Sequence, residues 1–174
     1  EVMPFVYYNV AAGEKIARVS ANMAMAADME VRASSTATTG AYSSACQRGL
    51  PAILMERGGG GRFTDSEVQA YKRDVKNIMI RMGLLSGEEV HTVQQKNVTR
   101  AEYLEAETDG LWYPVFSARD TFAGGAVLGT VRDIWGNLLR EYRADYPGII
   151  LYQTVGLGVK TGDPLIAYGE YVDR

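Results

Sequence analysis

The segment PAILMERGGGGRF, residues 51–63, opens as an apolar run, meets a lone glutamate at position 56 and leaves through four consecutive glycines. Such a run, closed by turn-forming residues, predicts a buried strand over LPAILME, 50–56, and the glycines let the backbone turn tightly or pass close to a ligand. In an open α/β sheet, a carboxylate at the carboxyl end of a strand lies in the crevice where such folds place ligands. Partial burial there raises its pKa toward neutrality unless a cation sits nearby, and that is the tuning a general base or acid needs. Two readings of Glu56 are therefore open: proton transfer at a site, or an ordinary ion pair with Arg57 or Arg62 at a sheet end.

Working outward, Thr64 with Glu67 three residues on matches a capping box. Val68, Tyr71, Val75, Ile78, Met79 and Met82 then predict a helix with a buried stripe that stops at Gly83. Upstream, AYSSACQR (41–48) predicts a short helix ended by Gly49, SSTATTG (34–40) a polar loop, and MEVRAS (29–34) a short strand. Ile16, Val19 and Met23 give AGEKIARVSANMAMAAD (12–28) one apolar stripe. The continuous apolar run VMPFVYYNV (2–10) predicts a strand buried on both faces. Strand, helix, strand, helix points to an α/β sheet with parallel character over residues 1–85.

From about residue 86 short apolar runs alternate with Gly and Asp turns, which predicts an all-β domain over 86–174. Shifting the chain on itself by about 38 residues lays GLWYPVFSARDTFAGGAVLGTV (110–131) over GIILYQTVGLGVKTGDPLIAYG (148–169). Gly110 then meets Gly148, Gly124 meets Gly162 and Leu128 meets Ile166. Two such copies about a pseudo-two-fold axis would make a flattened barrel or sandwich, with DIWGN (133–137) as the hairpin between them.

An apolar content of 47% over 174 residues suits a globular chain, and a net charge of −3 with mixed signs offers neither nucleic acid nor a membrane surface a basic patch. The single cysteine, Cys46, cannot form an intrachain disulfide, and no stretch approaches the roughly 18 apolar residues of a membrane span, so a cytoplasmic setting is expected. Cys46 reads as a small buried thiol, and Ser43 and Ser44 lack a nucleophile-elbow context. His91, the only histidine, lies in the polar stretch GEEVHTVQQKN (87–97) and reads as a solvated or locally hydrogen-bonded linker residue. The glycine run lacks the Gly-Lys-Ser/Thr ending of a phosphate-binding loop. Arg57 offers pairing with Glu56 or a reach toward a substrate carboxylate, and Tyr42 offers a hydroxyl to the site or half-buried packing.

Taken together, GLPAILMERGGGGRFTDSEVQAYKRDVKNIMIRMGLL (49–85) and the later DGLWYPVFSARD…PLIAYGE (109–170) resemble the succinylglutamate desuccinylase/aspartoacylase family, zinc-dependent deacylases related to the zinc carboxypeptidases. The resemblance implies a strand ending in the catalytic glutamate, glycines, the last helix of a carboxypeptidase-like catalytic domain, and a β-domain resembling a lipoyl-type barrel-sandwich hybrid. It gives Glu56 the part of general base and acid in the deacylation of an N-acyl amino acid at a zinc-bound water. The family's zinc ligands, a His and a Glu three residues apart and a second His, lie upstream of the matched region, as do its substrate-gripping arginines. The expectation is therefore the C-terminal portion of a longer enzyme, beginning abruptly at Glu1. Its partner would be the N-terminal half of the catalytic domain, and alone it would be inactive and without catalytic zinc. Because DIWGN holds no lysine, a swinging-arm carrier is disfavoured. A non-catalytic binding or homo-oligomerisation module, using LWY (111–113) and Trp135, is the alternative.

Overall fold

The computed structural model describes residues 1–170; the last four of the expected β-domain lie outside it. Two compact units divide the chain, Pro4–Thr99 and Glu1–Met3 with Arg100 onward, so the division falls later than the change in composition near residue 86.

In the first unit, β1 (Val2–Asn9) lies parallel to β2 (Val31–Ser35), from Phe5 beside Val31 to Asn9 beside Ser35. β4 (Lys96–Val98) extends this sheet in parallel beside β2, so the stretch after residue 86 includes a strand of the α/β unit. β3 (Ile53–Gly58) pairs with β1. Helices α1 (Glu14–Ala26), α2 (Ala41–Gln47) and α3 (Asp65–Arg81) connect the strands. β1 is apolar on both faces because both are covered: Val6 and Tyr8 pack with Ala24, Ala27, Met29, Ile53 and Met55, while Met3, Phe5 and Tyr7 are buried on the other side.

Three expectations are corrected. LPAILME is not a buried strand: Leu50 is 63% exposed and Leu54 37%, because β3 has β1 as its only neighbour among the described residues. The strand also continues two residues past Glu56. The stripe of α1 is only half-buried at Ile16, Val19 and Met23; Ser20 and Ala24 make the deepest contacts, small enough for close approach. On α3 the fully buried residues are Ala70, Asp74 and Asn77, whereas Val75 of the expected stripe is 47% exposed.

The second unit holds β5 (Ala101–Glu105), β6 (Gly110–Pro114), β7 (Thr121–Phe122), β8 (Val127–Arg132), β9 (Leu138–Arg143), β10 (Gly148–Gln153), β11 (Gly158–Val159) and β12 (Pro164–Glu170). The internal repeat is real and longer than its glycines suggested, because β5 to β8 are repeated as β9 to β12. The copies exchange strands. The antiparallel pair β6–β8 is flanked by β9 and β11 of the other copy, and β10–β12 by β5 and β7. The pairings correspond across the repeat: Gly110 and Leu111 register with Val159 and Gly158, as Gly148 and Ile149 do with Phe122 and Thr121. Two antiparallel layers result around Trp112, Leu128, Ile150, Leu165 and Tyr168; no closed barrel forms among the described residues. DIWGN is the β8–β9 hairpin, as expected.

Candidate active site

Glu56 and Arg57 are neighbours on a pleated strand and so project to opposite faces. Ile53 and Met55 pack with Val6 and Tyr8 beneath the helices, which assigns Arg57 to that same helical side. There its guanidinium donates to Asp74 Oδ2 at 2.7 Å and lies 5.4 Å from the ring centre of Tyr71. Asp74 Oδ1 in turn accepts the backbone N–H of Asp28 at 2.8 Å. The Asp28 carboxylate accepts from the Thr92 amide and hydroxyl, both at 2.7 Å, from the Val93 amide, and from Arg73 Nε at 2.9 Å. One buried polar chain thus ties β3 to α3, to the turn before β2 and to the linker before β4.

Glu56 lies on the other face with Leu54. Its carboxylate makes no hydrogen bond or ion pair with any described residue. The ordinary ion pair with Arg57 or Arg62 is absent, since Arg57 is committed to Asp74. Burial accordingly pushes the Glu56 carboxyl above its ordinary pKa. The Tyr71 hydroxyl is raised too, by burial first and then by the Glu56 charge. Beyond Glu56 the glycines form a tight reversal in which Gly58, Gly60 and Gly61 take positive φ and Arg62 N–H donates to Gly59 O at 3.2 Å. The chain then enters α3 through the expected capping box, Thr64 Oγ1 accepting from Glu67 N–H and the Glu67 carboxylate accepting from Thr64 N–H at 2.7 Å.

Tyr42 stacks on Tyr7 with ring centres 6.4 Å apart and an 11° interplanar angle. Tyr7 alternates with Val6 and Tyr8, so Tyr42 stands on the Glu56 side of the sheet, half-buried and without a hydrogen bond to Glu56. Fold and pleat therefore bring Glu56 and Tyr42 to one face and send Arg57 to the other. Elsewhere, Cys46 is a buried thiol donating to Ala52 O, and His91 is hydrogen-bonded locally to Glu89 at 3.0 Å. Among the described residues no group of three or more His, Cys, Asp or Glu side chains is placed to hold a metal ion. Asp28 and Asp74 escaped the sequence reading because single aspartates beside apolar stripes resemble solvated positions. The available signal was the spacing of Asp74 and Asn77, three apart and so on one face of the helix, with Ala70 four residues before Asp74 on that same face.

No family model matches the chain. The N-alpha-acetyl-L-2,4-diaminobutyric acid deacetylase of Halomonas elongata is 27% identical over 127 residues, 70% of this chain and 37% of that protein. The product-bound ectoine utilization protein EutE (DoeB) of Ruegeria pomeroyi superposes with a TM-score of 0.86 at 21% identity, covering 98% of this chain and 54% of that one. A succinylglutamate desuccinylase/aspartoacylase of Rhodobacter sphaeroides superposes at 0.82 with 21% identity, over 98% and 55%. This chain has the fold of the C-terminal portion of the succinylglutamate desuccinylase/aspartoacylase proteins. The likeness covers 98% of this chain, and the chain spans about half the length of the solved structures it matches. No helix among the described residues is long and apolar enough to cross a membrane.

Proposed function

We propose that the chain is the C-terminal portion of a zinc-dependent amidohydrolase that deacylates N-acyl amino acids, with Glu56 as its general base and acid. The observation carrying this reading is a half-buried carboxylate that meets no cation and whose proton affinity burial has raised. In that state Glu56 can take a proton from an attacking water at mild pH and return it to a departing amine, as acid–base catalysis by a carboxyl requires. The names borne by the Halomonas and Rhodobacter proteins supply the substrate class. The described residues do not fit a zinc site, so no step is assigned to zinc here, and ligands would have to come from outside the described residues. By itself the chain is expected to be inactive. Tyr42 is assigned a place beside the substrate on the Glu56 face, and Arg57 a supporting place through Asp74 rather than a hold on substrate.

Replacing Glu56 by Gln in the full-length protein should lower kcat by about a hundred- to ten-thousand-fold with little change in KM, read as amine release from N-acetyl and N-succinyl amino acids. Retention of wild-type turnover would sink the assignment. A second reading, assembly through the β unit, draws on the β8–β9 hairpin. Its tip exposes Ile134 and 82% of Trp135 on a turn that Asp133 holds rigid through the Trp135 and Asn137 amides. Sedimentation of the Trp135→Ala variant tests it: a fall in oligomeric size supports assembly there, and an unchanged one removes it.

A further inference from the structure

Two buried polar atoms of the β unit lack partners, and their residues meet at one cavity. Trp112 Nε1 and Gln153 Oε1 make no hydrogen bond, although Trp112 is only 2% exposed and Gln153 5%. Groups left so are costly unless something else binds them. Both residues line a partly open cavity of about 340 Å³, a size that suits a small-molecule site. The orientation of the Gln153 amide is fixed, because its Nε2 donates to the Glu1 carboxylate at 2.9 Å and to Phe116 O at 2.7 Å. Its oxygen is thus the free atom, an acceptor, whereas the Trp112 indole only donates.

The repeat shows that neither polar group is needed to build the fold. The shift that lays Gly110 over Gly148 also lays residues 115–117 over 153–155, all of which line the cavity. Gln153 then has Val115 as its mate and Trp112 has Ile150, so each polar group stands where the other copy uses an apolar one. The lining selects the occupant. A ligand must offer an acceptor to Trp112 and a donor to Gln153. Glu1 places a carboxylate in the wall and no cationic side chain among the described residues joins it, so an anion is repelled. Val115, Val155 and Leu157 add exposed apolar surface, from which water alone gains nothing. We propose that this cavity binds a small uncharged carboxamide: its oxygen accepts from Trp112 Nε1, its N–H donates to Gln153 Oε1, and a short branched alkyl group packs on Val115, Val155 and Leu157. Both polar atoms are closed to bulk water in the free protein, so the amide reaches them as the connection 154–157, between β10 and β11, gives way. All of these residues belong to the β unit, so binding here does not depend on the role given to Glu56.

The test is a titration of the ¹⁵N-labelled full-length protein with isobutyramide and, separately, with isobutyrate, its anionic isostere. The readout is the indole N–H resonance of Trp112, assigned through its contacts with Tyr142, whose ring centre lies 5.6 Å away. Isobutyramide should shift that resonance saturably, and isobutyrate should bind at least about tenfold more weakly. Gln153→Val, which installs the residue the other copy carries, should weaken isobutyramide by about tenfold as well. A shift that does not saturate, equal binding of amide and acid, or an unchanged affinity in Gln153→Val would overturn the assignment and leave the two atoms to water. Should that variant not fold, the contrast between amide and acid in the wild-type protein decides by itself.

Discussion

Asp74 shows how much depends on one carboxylate that contributes no chemistry of its own. Its side chain is wholly buried between the Asp28 amide and Arg57, and burial raises its pKa by more than these partners lower it. Asp74→Ala would leave the Arg57 guanidinium and a backbone N–H unpaired in the interior, a loss of about 3–5 kcal/mol in denaturant melts. Arg57→Met, which removes the cation but keeps the stem, should cost less than Asp74→Ala. Gly129 works by contact alone. A Cβ there would stand 2.2 Å from the Trp112 ring, which is locked between strands, so Gly129→Ala should destabilise by about 1–3 kcal/mol while β-rich circular dichroism is retained.

At the scale of elements, the entry to α3 and the linker before β4 respond to different stresses. Thr64→Ala removes one side of the capping box and should cost about 1 kcal/mol, seen first as faster amide exchange in the first turn of α3. The linker clamp is a pH effect. Burial opposes ionisation of Asp28, but the Thr92 hydroxyl and amide, the Val93 amide and Arg73 outweigh it and hold its carboxyl below the ordinary value. Arg81, with His91, does the same for Glu89. Depressed carboxyls add stability above their unfolded pKa that is lost as pH falls through the folded one. Raised groups, Glu56 and Asp74, have the opposite sign, favouring the fold most below the unfolded pKa and less as pH rises through the folded one. Asp28→Asn should therefore lower stability at neutral pH and flatten its decline below the ordinary carboxylate range, measured as melting temperature against pH.

For the whole molecule, the unpaired outer edge of β3 and the open apolar groove that Val68, Tyr71, Lys72 and Val75 line on α3 make the isolated 174-residue chain prone to self-association or instability. Size-exclusion chromatography should show aggregated or heterogeneous species. A single monomeric peak with a cooperative melt would count against this. The exchanged repeat should behave otherwise, because each sheet of the β unit needs strands from both copies: neither β5–β8 nor β9–β12 should fold when produced separately.

Much of this architecture was legible in order along the chain. Unbroken apolar runs, helical spacing, the Thr64–Glu67 cap and the glycine reversal place β1, α1, β2, α2, β3 and α3, and the paired Gly110 and Gly148 announce the repeat. Both glycines lie where strands approach too closely for a side chain, with a Cβ 2.6 Å from Val131 or from Gly169 O. Glu56 could likewise be singled out as a carboxylate ending an apolar run. Which side of each element is buried was decided only in three dimensions, because periodicity locates an apolar stripe but not its neighbour. The α3 stripe was expected inside, yet Asp74 took the interior by satisfying Arg57 and a backbone amide, Val68 and Tyr71 were left half-buried, and Val75 was left facing outward. The exchange of strands between repeats and the separation of Glu56 from Arg57 depend in the same way on pairing between distant residues, which local patterns do not carry.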